Sequence, residues 1–354
     1  VKLNDKWNLI NKEGQILFKQ WFDEVGLFVD GFAEIKLNGR WNFIDSGGKV
    51  LSDQWFEWTG SFSNGFARVE LNKKYNYINE AGQLLSAQWF DFASGFLSNG
   101  FASVMLKNKY NCINKEGQLV SEWWFDNIGR FNNGFAQVKL NGKYNFINTE
   151  GQLLSEQWFD EVYDFDNGFA QVELNGKYNF INKEGQLLSE QWFDDLGGFN
   201  NGFAPVKLNW KWNFIDTKGR LLSKQWFDAM EGFYNGLAIV ELNDEYNLIN
   251  EEGQLLSQQW FDYIMDFRCG FARVKLNKKW NFIDAKGRLL SNQWFDNAWD
   301  FVDGSAEVEQ DGRSYLIDTK GNLTIAESCR TASPVITESI LHLTITECVR
   351  RILS

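Results

Sequence analysis

The stretch Phe169-Ala170-Gln171-Val172-Glu173-Leu174-Asn175-Gly176-Lys177-Tyr178-Asn179-Phe180-Ile181 decides the fold. From Ala170 to Leu174 apolar and polar residues alternate with period two, the pattern of a half-buried strand. Asn175-Gly176 is a turn pair suited to positive φ, so the chain should reverse there into a hairpin. Tyr178 to Ile181 is aromatic and β-branched and reads as the returning strand. Asn182-Lys183-Glu184-Gly185 then matches a type I turn closed by a left-handed glycine. Gln186-Leu187-Leu188 predicts a short third strand, and Trp192-Phe193-Asp194 a fourth extended piece. Helix is unfavourable throughout, because Gly and Asn punctuate these segments.

Working outward, the same unit recurs along the chain. An aromatic followed by Asn stands at Trp7, Trp41, Tyr75, Tyr110, Tyr144, Tyr178, Trp212, Tyr246 and Trp280, every step being 34 residues except one of 35. Trp-Phe-Asp keeps the same rhythm, with Trp55-Phe56-Glu57 as its variant, and so does Gly-Phe-Ala. Residues 141–174 and 175–208 agree at 26 of 34 positions, which identifies a tandem array. Two details bear on strand placement. Pro205 occupies a polar slot of the first strand, which predicts an edge strand or an N–H with no ladder partner. The 35-residue step comes from Leu97-Ser98-Asn99 before Gly100, an insertion expected in a surface turn.

The order Lys-aromatic-x-Phe-Ile-Asp, x-x-Gly, Phe-Asp and Phe-x-x-Gly-x-Ala resembles the WG-repeat family, also called KWG repeats, over roughly residues 1–325. It is read at Lys211, Trp212, Phe214, Ile215, Asp216 and Gly219, then at Phe227, Asp228, Phe233, Gly236 and Ala238. The departure is that Trp-Gly is replaced by Trp-Asn or Tyr-Asn. The family is mostly bacterial, and the resemblance implies a β-rich repeat module with no particular activity.

The fold expected is therefore all-β: about nine and a half antiparallel β-meander units of 34 residues over 1–325, with a non-repeat tail at 326–354. An open β-solenoid or superhelix is favoured over a β-propeller, because nine or ten blades would make an unusual ring and 34 residues is short for a blade. In the tail, Ser333 and Pro334 suit the start of a helix. Ile336, Ile340, Leu341, Leu343, Val349, Ile352 and Leu353 would share a face, suggesting a helical cap over the last unit.

Composition narrows function. The 354 residues carry 35 basic and 47 acidic side chains, a net charge of −12, with 17 Trp, 32 Phe and a single His. An acidic chain without a basic block is a poor nucleic-acid or anionic-membrane ligand, and no stretch approaches the roughly 18 apolar residues of a membrane span. One His, His342, removes most acid–base and nucleophile schemes, so the expectation is no enzyme. The cysteines Cys112, Cys269, Cys329 and Cys348 form no C-x-x-C pair, so neither metal nor cofactor is expected. A Cys329–Cys348 disulfide is disfavoured, and Cys112 and Cys269 read as small buried or half-buried residues. Val1 begins the chain without a signal-type leader. Either a leader was removed, which would make the protein secreted or cell-surface, or the chain begins inside a longer array, so the compartment stays open.

Candidate binding residues are the nine Trp of Trp-Phe-Asp: Trp21, Trp55, Trp89, Trp124, Trp158, Trp192, Trp226, Trp260 and Trp294. Adjacent Trp and Phe point to opposite faces of an extended chain, so one of the two can form an aromatic ladder. Burial of both within and between units is the favoured alternative. The x-x-Gly glycines, Gly14, Gly48, Gly82, Gly117, Gly151, Gly185, Gly219, Gly253 and Gly287, are structural turn residues, as is Gly321. The repeated Asp reads as a turn residue bonding backbone N–H groups, and the Asn of each aromatic–Asn pair as a group that satisfies backbone. The leading function is a non-catalytic scaffold for protein partners or self-association through an elongated uniform surface. The alternative is a carbohydrate-binding module using the aromatic ladder.

Overall fold

The computed structural model describes residues 1–326, and among these all regular structure is β-strand. The expected helix after Ser333 and the Cys329–Cys348 pair lie outside the described residues. The chain forms two compact units, Val1–Glu190 and Gln191–Ser354. The first holds a two-stranded N-terminal hairpin and five three-stranded antiparallel sheets; the described part of the second holds three such sheets and a four-stranded one. Each sheet is open, with an edge on both sides.

Every interior sheet repeats one pattern. In the sheet Glu161–Val162, Phe169–Leu174, Lys177–Asn182 the long strands pair Leu174 with Lys177 and Val172 with Asn179. Asn175 and Gly176 between them have φ of 53° and 72°, so the hairpin closes through two left-handed residues as the Asn-Gly pair dictates. The expected third strand shrinks to a single bridge, Ile181 to Leu187. The expected fourth piece does not close its own meander. In the preceding repeat, Phe159 exchanges both backbone bonds with Tyr144 (2.8 and 2.9 Å), whereas Asp160 donates to Glu173 and Val162 pairs Val172 of the following sheet. One extended segment thus hands the chain from one sheet to the next.

Between Leu153, paired with Ile147, and Phe159, paired with Tyr144, three extra residues bulge out. Asn145 fills the gap. Its Nδ2 donates to the carbonyls of Ser155 (2.7 Å) and Gln157 (3.1 Å), and its Oδ1 accepts from the N–H of Phe146 (2.8 Å). Asn42, Asn76, Asn111, Asn213, Asn247 and Asn281 repeat these bonds, and all are 0–1% exposed. A buried carboxamide is tolerable because its donor and acceptor are engaged.

Ala and Val of the first long strand and Ile of the second share one sheet face, while the Phe of the second strand lies on the other. The faces of successive sheets meet: Phe43 of one clusters with Ala67, Val69 and Ile78 of the next, around Phe56 and Phe62. The x-x-Gly turn approaches the preceding repeat so closely that a Cβ on Gly151 (φ 78°) would lie 1.8 Å from the carbonyl oxygen of Val120. Gly82 meets Leu51 and Gly253 meets Leu222 in the same way, each at 2.0 Å. These glycines serve the turn and the stacking at once.

Pro205 lies in the central strand of its sheet, not an edge. Its edge neighbour Asp195–Leu196 has already ended opposite it, leaving only Gly197 to donate to its carbonyl (2.9 Å), so no ladder bond is lost. The extra residue at 97–99 enlarges a turn that elsewhere is a two-residue pair ending in Gly, most often Asn-Gly, as expected, with Gly100 donating to Leu97 (3.0 Å).

The Asn145→Ala variant strips two carbonyls and one N–H of their partner, and should lose about 1–3 kcal/mol of stability. Urea titration reads the loss, and amide exchange should accelerate first between Phe146 and Phe159. An unchanged midpoint would show that the bulge holds itself.

Candidate binding surface

The Trp-Phe-Asp element assigns its three side chains to three tasks. Its Phe is buried at 0–1% exposure in every copy from Phe22 to Phe295. All nine Trp, from Trp21 to Trp294, are half-buried. Their indoles lean on the core of the preceding repeat within a unit: Trp89 on the cluster of Phe43 and Ile78, Trp158 on that of Phe125 and Ile147, Trp260 on that of Phe227 and Ile249.

The Asp fastens neighbouring hairpins together. Asp160 accepts from the Lys143 ammonium at the start of the preceding long strand and, through its other oxygen, from the turn N–H of Asn175 in the next repeat (2.7 Å). Asp91, Asp126, Asp228 and Asp296 do the same with Lys74, Lys109, Lys211 and Lys279. This is the backbone-bonding role expected of the Asp, to which a Lys 17 residues upstream is added as a second partner. The Lys hydrogen bond, backed by the turn N–H, holds each of these carboxyls below the usual carboxylate range. Glu245 stands in the slot where the other repeats carry Lys or Arg.

Outward variety lies one residue further on. The slot after the Asp holds Glu24, Trp58, Phe92, Asn127, Glu161, Asp195, Ala229, Tyr263 and Asn297, while the residue beyond it packs inward. Trp58, Phe92 and Tyr263 there are 38–44% exposed. Across the sheet this slot pairs with a residue that in turn pairs with the aromatic of aromatic–Asn: Trp58, Glu70, Tyr75 in one sheet, Phe92, Met105, Tyr110 in the next and Tyr263, Lys275, Trp280 in another. Lys36, Lys207 and Lys275 place their ammonium groups 4.9–5.1 Å from the Trp41, Trp212 and Trp280 rings. Trp210 is a further departure: it occupies the second turn position, normally Gly, Asn, Asp or Lys, at φ 69°, and is 84% exposed beside Lys207. Constancy between repeats does not mark these residues; their signal in the sequence is a variable slot beside a constant motif.

Cys112 is buried as expected, and burial pushes its thiol up to about 12. Cys269 departs from the expectation: it is exposed at φ 50° in a turn slot that elsewhere is Asn or Asp. Among the described residues no three His, Cys, Asp or Glu side chains converge as a metal site, and no helix is long and apolar enough to cross a membrane.

Tandem sheets that share core residues, with constant positions turned inward and varied ones outward, define a β-repeat protein. The model of the WG-containing repeat matches eight times, at residues 9–41, 43–75, 77–110, 112–144, 146–178, 180–212, 214–246 and 248–280, and the chain belongs to the WG-repeat family. No curated protein matches its sequence. Among solved structures it is similar to apo AztD from Citrobacter koseri (14% identity, TM-score 0.27, 83% of this chain and 92% of that one). Hsv2 of Kluyveromyces lactis (11%, 0.25, 75% and 95%) and PorZ of Porphyromonas gingivalis (9%, 0.24, 88% and 52%) are further similar structures. At such scores these likenesses carry no argument about this chain.

Two measurements check this description. The Asp carboxyls titrate lower folded than unfolded, so their stabilisation is complete above about pH 4, the unfolded value. It is lost as pH falls through the lower folded values. The urea midpoint should hold steady from neutral pH to about 5 and then drop, with a shallower drop in an Asp126→Asn, Asp160→Asn double variant. Alkylation at neutral pH followed by peptide mapping should mark Cys269 and spare Cys112 until the chain is unfolded.

Proposed function

We propose that the array is a non-catalytic scaffold that binds a protein partner, or further copies of itself, through the outward row that follows each Trp-Phe-Asp. The observation that carries this reading is the division of labour within the repeat. Phe, Asn, Asp and Gly of the constant slots are engaged in cores, bulges, clamps and close turns, while the slot holding Trp58, Phe92 and Tyr263 varies in size and charge and faces out. Half-exposed aromatics on a rigid sheet suit protein contacts, where such side chains supply most of the affinity. Packing of Trp89, Trp158 and Trp260 against neighbouring cores favours this reading over carbohydrate binding, which needs flat rings open to solvent.

Replacing Trp58, Phe92 and Tyr263 together by Ser should leave the urea midpoint nearly unchanged, since none fills a core. It should abolish concentration-dependent association in sedimentation velocity or the binding of an isolated protein partner. If the unaltered chain stays monomeric and binds no protein, while soluble polysaccharides quench its Trp fluorescence, the scaffold reading fails and the carbohydrate one replaces it.

A further inference from the structure

The sheet Ala229–Met230, Leu237–Leu242, Glu245–Asn250 differs from its neighbours in one respect that opens a hollow. In both neighbouring sheets three rings meet: the Phe of Gly-Phe-Ala, the Phe of the second long strand and a Phe from the next repeat. Phe203, Phe214 and Phe233 make such a triad, with centroids 4.7–6.5 Å apart, as do Phe271, Phe282 and Phe301. Here the first two are Leu237 and Leu248, and only Phe267 remains. Phe267 is half-buried, whereas Phe62, Phe96, Phe233 and Phe301 in the same slot are buried. The substitution that explains this has a parallel at Cys112, which replaces the second ring and leaves Phe131 half-buried.

Two missing rings leave a concavity of about 440 Å³, within the range of small-ligand pockets and roomy for one aromatic side chain. Leu237, Leu248 and Phe267 wall it together with Ile239, which is apolar where most repeats carry a charged or polar residue. Its rim bears Glu231 and Asp266. The rim cation Arg268 lies 3.4 Å from Asp300, which Arg273 bonds more closely at 2.8 Å; three carboxylates, Glu231, Asp266 and Asp300, thus stand against two guanidinium groups, and the mouth keeps a net negative charge on a chain of net charge −12.

We infer that this hollow is a specific docking pocket, within the scaffold role proposed above, for a Phe side chain of a partner protein flanked by Lys or Arg. The apolar walls take the ring that the array itself lacks at this level. The rim carboxylates take the adjacent cations, which also steers the approach of a basic segment.

The test uses the full chain and a fluorescently labelled peptide, Gly-Lys-Lys-Phe-Lys-Lys-Gly, followed by anisotropy. Saturable binding is expected, about tenfold or more weakened in an L237F/L248F variant that restores the two rings. That variant should fold, because neighbouring repeats carry Phe in both slots. Glu231→Lys with Asp266→Lys, both on exposed side chains, should weaken binding similarly, and a peptide with Glu in place of Lys should bind least. Absence of saturable binding, or equal affinity for the unaltered chain and L237F/L248F, overturns the pocket. Should L237F/L248F not fold, the rim pair decides, with equal affinity again overturning it. A failed peptide titration in a chain that still associates through Trp58, Phe92 and Tyr263 removes the pocket and leaves the scaffold reading standing.

Discussion

Each repeat depends on one carboxamide. Three residues too many separate the two places where the chain returns along its second long strand, and unaided they would leave backbone carbonyls buried without donors, a cost of about 1–3 kcal/mol each. The Asn side chain supplies both donors and ties its oxygen to the next backbone N–H, as Asn145 does with Ser155, Gln157 and Phe146. The final sheet is the natural control. There Ser314-Tyr315 replaces aromatic–Asn, and the bulge is gone with it: Ile317, Leu316 and Tyr315 pair Leu323, Thr324 and Ile325 in unbroken register. Asn and bulge disappear together, so neither is incidental to the other.

What the bulge achieves is to carry the chain across to the next sheet. Only after it does Phe159 reach Tyr144, and the following residues are then aimed at the next repeat, where Asp160 closes the clamp. Coupling between repeats within a unit rests on three further contacts: the shared Phe cluster, the Trp leaning backward, and glycine against carbonyl. Each joins one repeat to its immediate neighbour, which is the condition for stability to accumulate along a repeat array.

Strand identity, turn chemistry and the backbone role of Asn and Asp were legible in the sequence, because period two and paired positive-φ residues are local signals. Sheet membership was not. Nothing local says that Trp192-Phe193-Asp194 belongs with the strands that follow it, since one pairing residue on either side looks the same from within. Pro205 shows the same limit: proline excludes a ladder bond, but only the length of Asp195–Leu196 reveals that no bond was on offer. For the site, constancy pointed to Trp21, Trp158 and their equivalents, and constancy in a repeat array marks the residues that neighbours consume.

Departures from the repeat therefore carry more functional information than the repeat itself, and they fall into two kinds. Some keep the geometry and exchange the chemistry. Where the aromatic is Trp its cross-strand partner is Lys, as at Lys36–Trp41, Lys207–Trp212 and Lys275–Trp280. At Glu70–Tyr75 and Glu241–Tyr246 the partner is acidic, and burial with the hydrogen-bonded carboxylate raises the phenol. An ammonium gains most from the larger indole face, and a carboxylate needs the phenol O–H as donor, so each pair is internally satisfied while its outward charge reverses. Others alter volume, as Leu237 and Leu248 do, and these cannot be absorbed by a partner of equal shape because the third ring, Phe267, is retained. A uniform array becomes locally distinct in this way: charge exchanges vary its surface without touching the core, and a change of volume opens a hollow within it.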